Sequence, residues 1–190
     1  MNRRRAIKLI LLGSASVTSI VSCKWLDRLK ATDWAYLYDK QNLLAELAET
    51  IIPQTDTPGA KAAKVDVFML RMLTDCTDTL SLNNFISGLQ DLEEFTLLNY
   101  RRPFPLCTDR QKEAVLQEFE GRELDNKGII GKIRKKILGR PFFALLKSYT
   151  VMGYCTSRPG ATQALQYEDI PGQYENVWPL DPAQRSWATK

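Results

Sequence analysis

The side chains able to do chemistry in this chain are few, and the missing types set the first limits. None of its 190 residues is histidine. General acid–base catalysis by imidazole, the serine–histidine triad and imidazole ligation of zinc or haem iron are therefore closed to it. Cysteines stand at 23, 76, 107 and 155. They form neither a Cys-x-x-Cys-His haem attachment nor the close set that an iron–sulfur cluster needs. Gly128-Ile129-Ile130-Gly131-Lys132 resembles a phosphate loop only superficially, because the spacing is wrong and no Ser or Thr follows the lysine. No Gly-x-Gly-x-x-Gly follows a strand-like run, so no dinucleotide fold is indicated.

Carboxylates are the remaining candidates. Glu93 and Glu94 are adjacent on a helical segment, cannot face each other, and read as solvent-facing. Asp56 lies in a turn, where a bond from its side chain to the local backbone explains it. Asp66 opens a helical pattern and suits the positive end of the helix dipole. The expectation is a chain with no catalytic, cofactor-binding or metal-ligating residue of its own.

One cysteine does carry a predicted chemistry. Arg3-Arg4-Arg5-Ala6-Ile7-Lys8 approximates the twin-arginine export pattern, with Arg3, Arg4 and Lys8 as its signal residues; the other reading is an ordinary Sec signal with an incidental arginine run. Leu9 to Val21 is a run of 13 apolar and small residues, short of the ~20 a membrane-spanning helix needs. Ile20-Val21-Ser22-Cys23 then fits a lipobox, which makes Cys23 the expected lipidation site. Residues 1–22 thus read as an export signal peptide and 23–39 as a tether. The predicted localisation is the cell envelope, periplasmic side, with a lipid anchor in a membrane.

Removing the signal changes the charge. It holds four of the 26 basic residues and no acid, so 22 basic and 22 acidic side chains remain. The pI near 8.9 belongs to the signal, and no nucleic-acid partner is implied. Lys132, Arg134, Lys135 and Lys136 read as a solvated helix face, with contact to anionic lipid or an acidic partner as the alternative. Cys76, Cys107 and Cys155 allow at most one internal disulfide, and the leftover thiol is either buried or bonded to another chain.

These features must be positioned by helices. Leu43, Leu44, Leu47, Ala48, Ile51 and Ile52 recur at helical spacing until Pro53 stops them. Thr57-Pro58 suggests the start of the next helix, with threonine as cap and proline at the first position. Val65, Phe68, Met69, Met72, Leu73 and Cys76 form its apolar stripe. A third helix spans Leu80 to Asn99, with Phe85, Leu89, Leu92 and Thr96 inward. Thr108 to Gln111 is a capping box for a fourth, which carries Val115, Leu116 and Phe119. Ile129, Ile130, Ile133 and Ile137 suggest a short helix between Gly121 and Gly139. Phe142 to Tyr154 is the most apolar segment and reads as the central helix. Past Gly160 no period persists, yet Tyr167, Tyr174, Trp178 and Trp187 are spaced along the chain. The predicted fold is all-α: a small helical bundle over residues 40–190 with an extended, aromatic-bearing C-terminal arm that lies on a surface of its own or of a partner.

Two segments carry a family resemblance. One runs from Glu49-Thr50-Ile51-Ile52-Pro53 through Thr57-Pro58-Gly59-Ala60 to Met69. The other runs from Phe142-Phe143-Ala144-Leu145-Leu146-Lys147 through Val151-Met152-Gly153-Tyr154-Cys155-Thr156-Ser157 to Ile170-Pro171-Gly172 and Tyr174. Together they resemble the gluconate 2-dehydrogenase subunit 3 family, with Cys155 where an aromatic residue is expected. The resemblance implies a complex. A large flavoprotein dehydrogenase subunit of the glucose-methanol-choline type, holding FAD, oxidises a sugar or sugar acid. Electrons pass to a cytochrome c subunit or another membrane acceptor. This chain would be the small non-catalytic subunit, supporting export, folding and membrane attachment of its partner. Cys155, Tyr167, Tyr174, Trp178 and Trp187 are the candidate partner contacts. The alternative is an independent envelope lipoprotein acting as a binding or scaffolding module.

Overall fold

Leu43, Leu44, Leu47 and Ala48 put one apolar stripe on residues 41–51, and those residues form a helix that buries all four. The computed structural model describes residues 34–124, 139–166, 172 and 185–187. In chain order the helices are α1 (Trp34–Asp39), α2 (Gln41–Ile51), α3 (Val65–Asp75), α4 (Thr79–Tyr100), α5 (Asp109–Leu124) and α6 (Phe142–Thr156). A 3-10 turn, Phe104–Leu106, joins α4 to α5, and a π-helical turn, Gly160–Ala164, follows α6. The fold is all-α. Among the described residues the β-type contact is a parallel bridge between Gln166 and Trp187.

Helix α6 is central, as its composition predicts. It packs against α2, α3, α4, α5 and the π-helical turn. Phe142, Phe143, Leu145, Leu146, Tyr149, Thr150, Gly153 and Tyr154 are buried around its circumference; a helix apolar on all sides belongs inside. Aromatic rings tie three helices at one end. Phe142 lies 5.1 Å from Phe85 of α4 and 6.0 Å, edge-on, from Phe119 of α5, which in turn meets Phe95 of α4 edge-on at 5.8 Å. Such tilted pairs add to the burial of the rings.

The ends of the helices depend on side chains from elsewhere. Asp78 caps α4 by accepting from the Ser81 amide at 2.9 Å. The first turn of α6 is capped by a residue of another helix: the Glu123 carboxylate accepts from the amides of Phe143 at 2.6 Å and Ala144 at 2.9 Å. A negative charge there also suits the helix dipole. Burial raises the Glu123 pKa against the opposing effect of those two bonds.

Several expectations are corrected by these contacts. Helix α3 begins at Val65, not at Thr57-Pro58, and is preceded by Lys64 in the left-handed region at φ 54. Glu93 is partly buried and paired, not merely solvated: it accepts from the Tyr36 hydroxyl and from Lys40 Nζ, both at 2.8 Å, fastening α1 to α4. Burial and then the Glu93 hydrogen bond push the Tyr36 pKa upward. Asp56 is exposed and makes no local backbone bond. Cys76 is exposed instead of closing its helix's apolar stripe, Cys107 is buried, Cys155 is partly buried, and all three are free thiols. Of the predicted capping box, the Gln111 side chain accepts from the Thr108 amide at 3.0 Å. The C-terminal part of the tether packs, since Leu37 of α1 is fully buried. The short helix expected around Ile129 to Ile137 and the Lys132–Lys136 cluster lie outside the described residues.

Candidate functional site

Glu49 is an acid in the last turn of α2, where the helix dipole disfavours negative charge. Its carboxylate is used elsewhere. One oxygen accepts from the Gln54 amide at 3.0 Å, and the other accepts from the Lys61 amide at 2.8 Å. The side chain thus bridges both arms of the loop between Pro53 and Lys64. Three backbone bonds complete the clasp: Ala60 N to Ile52 O, Val65 N to Ala60 O, and Thr55 N to Thr57 O, at 3.0, 3.1 and 3.0 Å. Ala60 is fully buried beneath it. Gly59 is needed because a Cβ there would stand 2.7 Å from the Gln54 nitrogen and closer still to both Glu49 oxygens.

The second family segment closes the clasp from the other side. The Tyr154 hydroxyl, on α6, donates to the Pro58 carbonyl at 2.7 Å across 96 residues of sequence. One residue earlier, Gly153 lets α3 approach: a Cβ there would lie 2.6 Å from Phe68 Cδ1 and 3.3 Å from Val65 Cγ1. The two segments that carry the resemblance are therefore two sides of one junction.

Charge extends the junction to α5. Glu46, three residues before Glu49, accepts from Lys61 Nζ at 2.6 Å and from Lys112 Nζ at 2.9 Å. Burial works against its ionisation, but the two lysine hydrogen bonds and their positive charges outweigh it and hold the carboxyl below its ordinary pKa. Lys112 also lies over the ring of the buried Phe104, 6.0 Å from its centroid. Both oxygens of Glu49 are taken by backbone amides and both of Glu46 by lysine ammonium groups. The chemistry of this arrangement is to fix a loop.

The predicted contact residues fall elsewhere. Cys155, on α6, packs against the edge of the core. Trp187 is exposed, and its neighbourhood folds back on the bundle: the Gln166 amide donates to the Ser186 carbonyl at 2.8 Å, and the Arg185 guanidinium donates to the Gln163 carbonyl. Among the described residues no hydrogen bond or ring contact joins Cys155 to Trp187. Tyr167, Tyr174 and Trp178 lie outside the described residues, as do Arg3, Arg4, Lys8 and Cys23. Glu49 belongs to the first of the two resemblance segments, and the sequence alone assigns it no role. The signal was an acid at the wrong end of a helix, one turn before a proline. For Tyr154 the sequence offered no signal of its partner.

Among the described residues no group of three or more His, Cys, Asp or Glu is placed to hold a metal ion, and no helix is long and apolar enough to cross a membrane. The fold and the junction define an all-α module whose signature polar groups clasp a loop onto a central helix. The family model for gluconate 2-dehydrogenase subunit 3 matches residues 38–172, spanning both sides of the clasp, and the chain belongs to that family. Membership implies an accessory subunit of a dehydrogenase complex. The comparisons with curated proteins and with solved structures give no match.

Proposed function

We propose that this protein is the non-catalytic small subunit of an exported, flavin-dependent sugar or sugar-acid dehydrogenase, and that it supports export, folding and membrane attachment of the catalytic subunit. The partner is a flavoprotein of the glucose-methanol-choline type that carries FAD and passes its electrons to a cytochrome c subunit or another membrane acceptor. The observation that carries this reading is the clasp. The signature carboxylate Glu49 spends both oxygens on the backbone amides of Gln54 and Lys61, so the family's most distinctive segment serves shape. Two sequence features support it. The chain has no histidine, and Arg3 and Arg4 precede a signal-like run in an arrangement suited to carrying folded, cofactor-loaded cargo. A signal of that kind on such a chain is explained if the cargo is a partner that acquires its flavin before export. Cys23 supplies the anchor, and the segment that ends at Trp187 supplies partner contact.

The test is purification of the native protein through a C-terminal tag on this chain. The expected result is co-elution of one large flavoprotein, seen as a flavin absorption spectrum, with sugar-dependent dye reduction that this chain alone lacks. Replacing Arg3 and Arg4 by lysine should strand both subunits in the cytoplasm. The reading fails if the isolated chain oxidises sugar, or if the flavoprotein is exported normally in its absence.

A further inference from the structure

The tip of the clasped loop is fixed by more bonds than the core requires. Pro53, Gln54, Thr55 and Asp56 are four exposed residues in a row. The Gln54 amide is tied to Glu49 at 3.0 Å, the Thr55 amide donates to the Thr57 carbonyl at 3.0 Å, and the Pro58 carbonyl accepts from Tyr154 at 2.7 Å. Between residues 53 and 64 the hydrophobic side chain in the core is Ala60, with Ala63 partly buried against it. Hydrophobic stabilisation follows the apolar area buried, and these alanines supply little. Core packing therefore does not explain an acid placed at the unfavourable end of α2 to hold this loop.

The backbone of the tip is engaged by the clasp, and its side chains are left over. Among the described residues, the side chains of Gln54, Thr55 and Asp56 make no hydrogen bond or ion pair. They offer an amide, a hydroxyl and a carboxylate from a fixed backbone. Binding groups concentrate on loops that a rigid scaffold positions, and holding them in advance lowers the ordering cost of association.

Charge narrows what they meet. From residue 46 to 66 the acids are Glu46, Glu49, Asp56 and Asp66 and the bases are Lys61 and Lys64, with Lys112 reaching in from α5. Positive charge is not in excess. Lipid phosphates and nucleic acid draw basic surfaces, and this one is not basic. A polar protein surface is the occupant that fits, and family membership implies a dehydrogenase complex to supply it.

We propose that Gln54, Thr55 and Asp56 form a recognition edge for the catalytic flavoprotein subunit, which meets Gln54 and Thr55 with hydrogen-bonding groups and Asp56 with a basic side chain. The inference rests on the function proposed above. It adds a contact distinct from the segment that ends at Trp187.

The test compares native complexes purified through a C-terminal tag on the full chain, with flavin absorbance per chain as the measure of partner retained after washing. Asp56→Lys sets like charges against each other and should lower the retained flavoprotein about tenfold or more, the scale of one interface hot spot. Gln54→Ala with Thr55→Ala should lower it about threefold, the net worth of an exposed hydrogen bond or two. Both variants should keep the thermal transition of the isolated parent chain, because these side chains are exposed and unpaired. A parent-like yield from either variant overturns the proposal and leaves the proposed function standing. A thermal transition that falls in step with the lost flavoprotein makes the tip a structural element and also overturns it. A parent that retains no flavoprotein overturns the proposed function itself, and this inference with it.

Discussion

Removing the Glu49 carboxylate should loosen the clasp by an amount the geometry sets. Glu49→Ala deletes two charge-assisted bonds to backbone amides, at 3.0 and 2.8 Å. Such bonds contribute ~1.5–3 kcal/mol when dry. Both are open to solvent, so water competes for the freed amides and screens the charge; about 0.5–1 kcal/mol each is the fitting figure. The loss is then about 1–2 kcal/mol, or a fall in Tm of about 2–8 °C for a domain of this size. Tyr154→Phe removes one neutral bond to the Pro58 carbonyl, which costs about 1 kcal/mol. Both substitutions act on one loop, so their effects should not add. Once either tether is gone, the loop between Pro53 and Lys64 relaxes and the other tether holds less. The double variant should fall short of the sum by ~0.5 kcal/mol or more. Urea unfolding of the four proteins, followed by circular dichroism with a common m-value, measures this directly. Additivity within ~0.3 kcal/mol would show that Glu49 and Tyr154 hold separate structures, and the idea of one junction would be wrong.

Two further carboxylates should show opposite pH signatures. Glu46 is held below its ordinary value of 4.5 by Lys61 and Lys112, so its contribution is present above that pH and fades as the pH falls through the folded-state pKa. Glu46→Gln should therefore be most destabilising near neutrality and approach the parent in acid, measured as the difference in urea midpoint across that range. The Glu123 pKa is raised by burial, against the bonds from the Phe143 and Ala144 amides, so its titration-linked contribution is fully present below the unfolded-state pKa and is lost as the pH rises through the folded one. Glu123→Gln should accordingly cost most in acid and least at neutral pH, and Glu123→Ala, which removes the cap of α6 altogether, should follow the same pH trend with a further loss of about 1 kcal/mol. A flat profile for either glutamine variant would remove the corresponding burial or lysine argument.

The parts of the fold that follow from local chemistry were readable in the sequence. Apolar spacing located α2, α4 and α6, Pro53 stopped the first of them, and a wholly apolar α6 had to be central. Three of the failures share one cause: a group acting over a distance in sequence. Thr57-Pro58 has the local signature of a helix start. The Glu49 carboxylate and the Ile52 carbonyl nevertheless hold residues 54 to 61 in a loop, and the helix waits until Val65. Glu93 looked solvated because nothing within a turn of it could pair, yet Tyr36 and Lys40 reach it from more than fifty residues away. Glu123 caps a helix that begins nineteen residues later. Each of these acids is placed by tertiary packing, and periodicity carries no information about it.

The position of the family signature within the fold bears on what the subunit is for. Apolar packing of the kind that α4 and α5 present to α6 can be met by many sequences of similar volume. A junction in which a carboxylate, a carbonyl and a tyrosine hydroxyl must each meet a particular partner can be met by few. The residues that carry the resemblance in the sequence lie in the two segments that meet at Pro58 and Tyr154. The recognisable residues are thus those that fix one loop against one helix. On the function proposed above, a loop fixed by so many polar side chains has its use in the surface it holds still. A rigid recognition surface lowers the ordering cost of association. That is the physical sense in which an accessory subunit of a dehydrogenase would be most distinctive where it is most constrained, and it predicts that clasp variants lose partner binding before they lose the fold.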